Sequence, residues 1–94
     1  MTSDEFLTIC APVAHLVGKK GEDYNRGQVK LSDYFPFGHI SHAHMVHLKS
    51  MRLISLVSNL GKNPNFDSIE DTLQDILAYT VFYLEAIKSG KLGK

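Results

Sequence analysis

Apolar residues recur at helical spacing in three separate stretches of the chain, which predicts three helices. In the first, over about Ser3–Val17, one stripe holds Phe6, Ile9, Cys10, Val13, Leu16 and Val17. Ser3 reads as its N-cap, with Asp4 and Glu5 in the first turn. Pro12 interrupts the pattern, so the helix kinks there or a second short helix starts there. The second helix is expected from near Ser41 to Gly61, a candidate C′ glycine. Its apolar arc is Val46, Leu53, Leu56, Val57 and Leu60, with His42 and Lys49 inside the arc and Arg52 at its edge beside Met45. Leu48, Met51 and Ile54 are apolar on other sides, which predicts a helix buried nearly all round. The third helix is expected over Ser68–Lys88. Asp67 or Ser68 reads as its N-cap, with Glu70 or Asp71 closing a capping box. Its main stripe is Ile69, Leu73, Ile76, Thr80, Tyr83, Leu84 and Ile87. Asp71, Asp75, Tyr79 and Phe82 follow one another along the opposite side.

The pattern predicts an all-α fold, a small bundle of three main helices. Residues 1–90 read as a single helical domain and 91–94 as a frayed tail. Between the first two helices lies Gly18–Gly38, with four glycines, one proline and no clear period. It reads as a long connection kept ordered by its aromatics. A core of 94 residues is marginal on its own, so completion of the bundle by self-association is expected.

Ten basic residues balance ten acidic ones. This speaks against general nucleic-acid binding, which rests on excess positive charge. Cys10 is the one cysteine, so no intrachain disulfide forms and a reducing compartment is expected. No apolar run approaches membrane-spanning length, and the opening MTSDEFL lacks the basic start of a signal peptide. The chain therefore reads as cytoplasmic.

Chemistry concentrates in FGHISHAHMVHLKSMR, Phe37–Arg52, with four histidines, a lysine and an arginine in sixteen residues. Histidines at i, i+3 can chelate a transition metal, but no HExxH or neighbouring cysteine supports that. Lys49 and Arg52 in an apolar setting need an anion: a phosphate, or Asp71 or Asp75 across the helix interface. The alternative for Lys49 is snorkelling along its own stem. Asp71 and Asp75, one turn apart, can share Mg²⁺. With the basic residues of the second helix they make a candidate magnesium–phosphate pocket.

Over about Lys19–Ile87 the sequence resembles small, mostly phage-encoded proteins related to the nucleotide modification associated domain one family. That family is similar to the all-α nucleoside triphosphate pyrophosphohydrolases of the MazG and dimeric dUTPase type. The resemblance rests on Lys20, Asp23 and Tyr24 in KGEDY, on Lys49, Arg52 and Leu53 in KSMRL, and on Asp71, Asp75 and Tyr79 in DTLQDILAY. It implies a helical nucleotide-handling protein, often a dimer whose protomers complete one bundle, and a bacterial-host cytoplasm if phage-encoded. In that reading Asp71 and Asp75 are catalytic and hold Mg²⁺ with Asp23 or Glu22. His42, Lys49, Arg52 and Lys20 line the phosphate site, and Tyr24, Tyr79 or Phe35 stacks on the base. The chain departs from the pyrophosphohydrolase pattern in one respect: no acidic residue lies between Ser41 and Leu60. Three functions follow: a reduced pyrophosphohydrolase, a non-catalytic nucleotide binder or sponge, and a protein-interaction module that inhibits a host enzyme.

Overall fold

The structure is a computed structural model. It describes the backbone of residues 1–26, 30–61 and 66–92 and the side chains of residues 1–19, 30–61 and 68–92. The described residues form three α-helices, α1 (Ser3–Arg26), α2 (His39–Ser58) and α3 (Phe66–Lys88), and one 3-10 turn at Leu31–Tyr34. No strand occurs among them, as the periodicity predicted. The chain divides into two units, Met1–Pro36 and Phe37–Lys94.

In the first unit, Thr2 rather than Ser3 caps α1. The amide of Glu5 donates to Thr2 Oγ1 at 3.1 Å. In return, the Thr2 amide donates to Glu5 Oε1 at 3.3 Å. This reciprocal pair is a capping box, and TSDE spells it one residue earlier than the expected cap. The helix then runs through Pro12. Proline has no amide hydrogen, so the Thr8 carbonyl loses its helical partner. It also continues through Gly18 to Arg26, where a loop was expected. Extending a helix that is already nucleated fixes one residue per bond gained, which offsets the weak propensity of the two glycines. Val13 and Phe35 are the buried hydrophobic residues of this unit among those described. After the helix, the Lys30 amide donates to Asp33 at 2.8 Å and sets the 3-10 turn.

The second unit is an antiparallel hairpin of α2 and α3. Gly38 precedes α2 with φ of 63°, a left-handed conformation that a side chain disfavours. The Phe37 amide donates to Ser41 Oγ at 2.9 Å and anchors the entry. The helix starts two residues before the expected Ser41 and ends at Ser58. Gly61 is not left-handed, so it is not the expected C′ glycine. At α3 the expectation is also shifted: the helix begins at Phe66, before both predicted caps. Its stop is as expected, with Gly90 left-handed at φ of 75°.

The seam between the helices repeats every seven residues. On α2, His42, Lys49 and Leu56 form one row and Val46 and Leu53 the next, which Leu60 continues two residues past the helix end, all buried or half-buried. On α3, Thr72, Tyr79 and Ala86 form the matching row, with Asp75 and Tyr83 between them. This is the arrangement of an antiparallel coiled-coil seam. Thr72 and Ala86 are 2% and 6% exposed, and their small side chains allow the helices to approach closely. The face of α3 turned to α2 is therefore the mixed one, with Tyr83 as the member of the predicted stripe that reaches α2. Leu73, Leu84 and Ile87 stay about half exposed. So do Leu48, Met51, Ile54 and Val57, which corrects the expectation that the second helix is buried nearly all round.

Two substitutions test these local assignments. Pro12→Ala restores a hydrogen bond inside α1 and is expected to stabilise it by up to ~3 kcal/mol, read as added helicity by circular dichroism and a higher urea midpoint. Gly38→Ala forces a side chain into the left-handed region and should cost about 1–2 kcal/mol in the same measurement.

Candidate functional site at the helix seam

Two of the second helix's charged or titratable residues, His42 and Lys49, lie in the same seam row, two turns apart, and each meets side chains of α3. Lys49 Nζ is 3.3 Å from Asp75 Oδ2, with side chains 28% and 39% exposed. Its ammonium also lies 5.8 Å from the centroid of the Tyr79 ring, near the limit of a useful cation–π contact. Tyr79 in turn meets Phe82 edge to face at 5.8 Å. The sequence brings this group together because residues 75, 79 and 82 share the α3 face turned to α2. Of the two anions expected for Lys49, phosphate or aspartate, the structure supplies the aspartate. A pair this exposed stabilises by less than ~1 kcal/mol.

His42 is 5% exposed. Its ring stacks on Tyr83 with centroids 5.0 Å apart and planes 14° from parallel. The Tyr83 hydroxyl is hydrogen-bonded with Nδ1 of His39 at 2.6 Å; the Nε2–H tautomer of His39 lets that hydroxyl donate. Burial lowers the pKa of His42 below 6.5, and the nearby His39 lowers it further, while Glu85 on α3 pulls it back up. Sequence reasoning placed Tyr83 in the aliphatic stripe and His39 at the periphery. The seven-residue spacing from Ile76 to Tyr83, matching that from Thr72 to Tyr79, was the signal for the seam.

Other expected site residues are not gathered here. Arg52 and Asp71 are both exposed and make no ion pair among the described residues. His44 and His47 are exposed as well. The side chains of Lys20, Asp23 and Tyr24 lie outside the described residues, and Phe35 belongs to the other unit. No three His, Cys, Asp or Glu side chains converge as metal ligands among the described residues. Asp75 is engaged by an ammonium and Asp71 is exposed, while Asp23, the third expected Mg²⁺ ligand, has its side chain outside the described residues. No family model, curated protein or solved structure matches the chain.

Two measurements follow. In a double-mutant cycle, Lys49→Met and Asp75→Asn should show a coupling below ~1 kcal/mol by urea unfolding. For His42, the folded state resists protonation more than the unfolded state does. The unfolded chain then binds more protons below 6.5, so this contribution is complete above that pH and is lost as pH falls. His42→Phe, which keeps the stack on Tyr83, should flatten the loss of stability between about pH 7 and pH 5 relative to wild type.

Proposed function

We propose that the protein binds the phosphate of a nucleotide at the outer edge of the α2–α3 seam and does not cleave it. The observation that carries this reading is the Lys49–Asp75–Tyr79 group, with a half-buried ammonium beside an aromatic ring and one carboxylate. An arriving phosphate would take Lys49 as a point charge, and Arg52 one turn on would add a bidentate fork. Tyr79 offers a ring for the base. The lack of acidic residues between Ser41 and Leu60 favours binding over metal-assisted hydrolysis, which needs several oxygen ligands. In the hydrolytic reading, Asp71, Asp75 and Asp23 would hold Mg²⁺, and Asp75 would first have to leave Lys49. The resemblance to phage-type nucleotide-handling proteins supports both readings.

A second reading, a protein-interaction module, is favoured by the half-exposed aliphatic residues of the hairpin.

The test is incubation with a panel of nucleoside triphosphates and cyclic nucleotides, with and without Mg²⁺, followed by filtration and anion exchange. The expected result is one nucleotide depleted from the filtrate and recovered intact after denaturation, independent of metal. New monophosphate and pyrophosphate peaks would make the protein an enzyme, and an unchanged panel would favour the interaction module. For the bound nucleotide, Lys49→Ala should weaken binding by about 10-fold or more. Asp75→Asn should tighten it, because a competing carboxylate is removed. A binder and a hydrolase therefore part at Asp75, since Asp75→Ala abolishes turnover in the latter.

A further inference from the structure

The outer face of α2, opposite its seam rows, is not an ordinary solvated surface. At about 100° per residue it carries Ile40, His44, His47, Leu48, Met51 and Ile54, together with two serines, all exposed. The only fixed charges on α2 are Lys49 and Arg52. Lys49 lies in the seam, and Arg52 lies about 100° round the helix from Met51. A helix face left to water ordinarily carries charged side chains. Here two imidazoles take their place, with a thioether beside them. We propose that His44, His47 and Met51 form a site for a single Cu(I) ion on this face.

Spacing brings the three donors together. His44 and His47 stand at i, i+3, and His47 and Met51 at i, i+4. Each of these pairs therefore has its Cβ atoms about 5–6 Å apart on one side of the helix. The rise from His44 to Met51 is about 10.5 Å, so an ion above His47 stands roughly halfway between the other two. Ligand pairs at i, i+3 on one helix hold metal ions in helical bundles. The missing cysteine is no obstacle, because the third donor is the thioether of Met51.

The imidazoles are also available. Neither His44 nor His47 makes a hydrogen bond or an ion pair among the described residues. His39 of the same helix differs, because its Nδ1 is hydrogen-bonded with the Tyr83 hydroxyl at 2.6 Å. A neutral imidazole keeps one nitrogen lone pair, and on these two rings no protein donor occupies it among the described residues.

The donor set selects the ion. Thioether sulfur is a soft ligand that suits Cu(I), and imidazole binds copper as well. The face carries no carboxylate, so it offers little to Mg²⁺ or Ca²⁺, which take oxygen ligands. A structural Zn²⁺ site closes a tetrahedron of protein ligands, and this face lacks a further donor to complete one. Cu(I) accepts low coordination numbers. No ammonium or guanidinium stands among the three donors to repel it, and Leu48 and Ile54 flank them with an apolar rim that limits solvent access. The site shares no residue with the Lys49–Asp75–Tyr79 group, so it does not depend on the nucleotide reading.

The test is competition of the tag-free full chain with the Cu(I)–bicinchoninate complex, under ascorbate and without oxygen. It is run in a Cys10→Ser background, because a thiolate also takes Cu(I). One Cu(I) per chain is expected. His44→Gln and His47→Gln should each weaken binding by at least ~10-fold, since even the loss of an outer-shell partner of a metal ligand costs that much. Met51→Leu keeps the apolar bulk and removes the sulfur. It should weaken Cu(I) binding by at least ~10-fold and abolish the sulfur scattering in the copper X-ray absorption spectrum. His15→Gln, at an exposed histidine of α1, should change nothing measurable. Circular dichroism checks that each variant remains helical. Should one lose helicity, the other two supply the reading. A chain that takes no copper from the competitor overturns the proposal. So does binding that ignores His44→Gln, His47→Gln or Met51→Leu in a helical variant, or binding that His15→Gln removes. A ratio of one copper to two chains, a metal bridging two copies, overturns it as well.

Discussion

The hairpin depends on two polar residues placed where a coiled-coil seam ordinarily holds aliphatics. His42 and Lys49 occupy the same row of α2, seven residues apart, with His42 stacked on Tyr83 and Lys49 paired with Asp75 beside Tyr79. A purely aliphatic row would tolerate sliding by a heptad. Here a slip of seven residues along α3 would set Lys49 against Phe82 or Ser68 and take His42 off Tyr83. Polar seam residues generally trade stability for register in this way, and the small exposure of His42 shows how fully the trade is made. Lys49 holds Asp75 in place, so the geometry of the candidate site follows from the register.

The helix count and class were legible because 3.6-residue periodicity survives any detail of packing. What was not legible was which face of each helix would turn inward. On α3 the stronger aliphatic stripe of Leu73, Leu84 and Ile87 won on hydrophobicity, yet the inward row is Thr72, Tyr79 and Ala86. Small residues permit close approach of the backbones, and a periodicity count gives them no weight. The extension of α1 past Val17 was missed for a related reason. Gly18 and Gly21 signal a break, but a helix already formed propagates through weak residues more readily than it starts.

For the site, the pairing of Lys49 with Asp75 and Tyr79 could be read from helical spacing alone, since those residues share a side of their helices. The roles given to Arg52 and Asp71 could not. Both sit one turn further along the hairpin, on the edge where neither helix closes over the other. His39 illustrates the opposite case. It is exposed, yet it holds the Tyr83 hydroxyl, and no sequence pattern distinguishes it from His44 and His47 on the same helix.

The short link between α2 and α3 has a kinetic consequence. Only seven residues of sequence separate the end of α2 from the start of α3, so once both helices have formed, closing the hairpin requires little loop entropy. The hairpin can therefore close early, with its register decided before the rest of the chain is ordered.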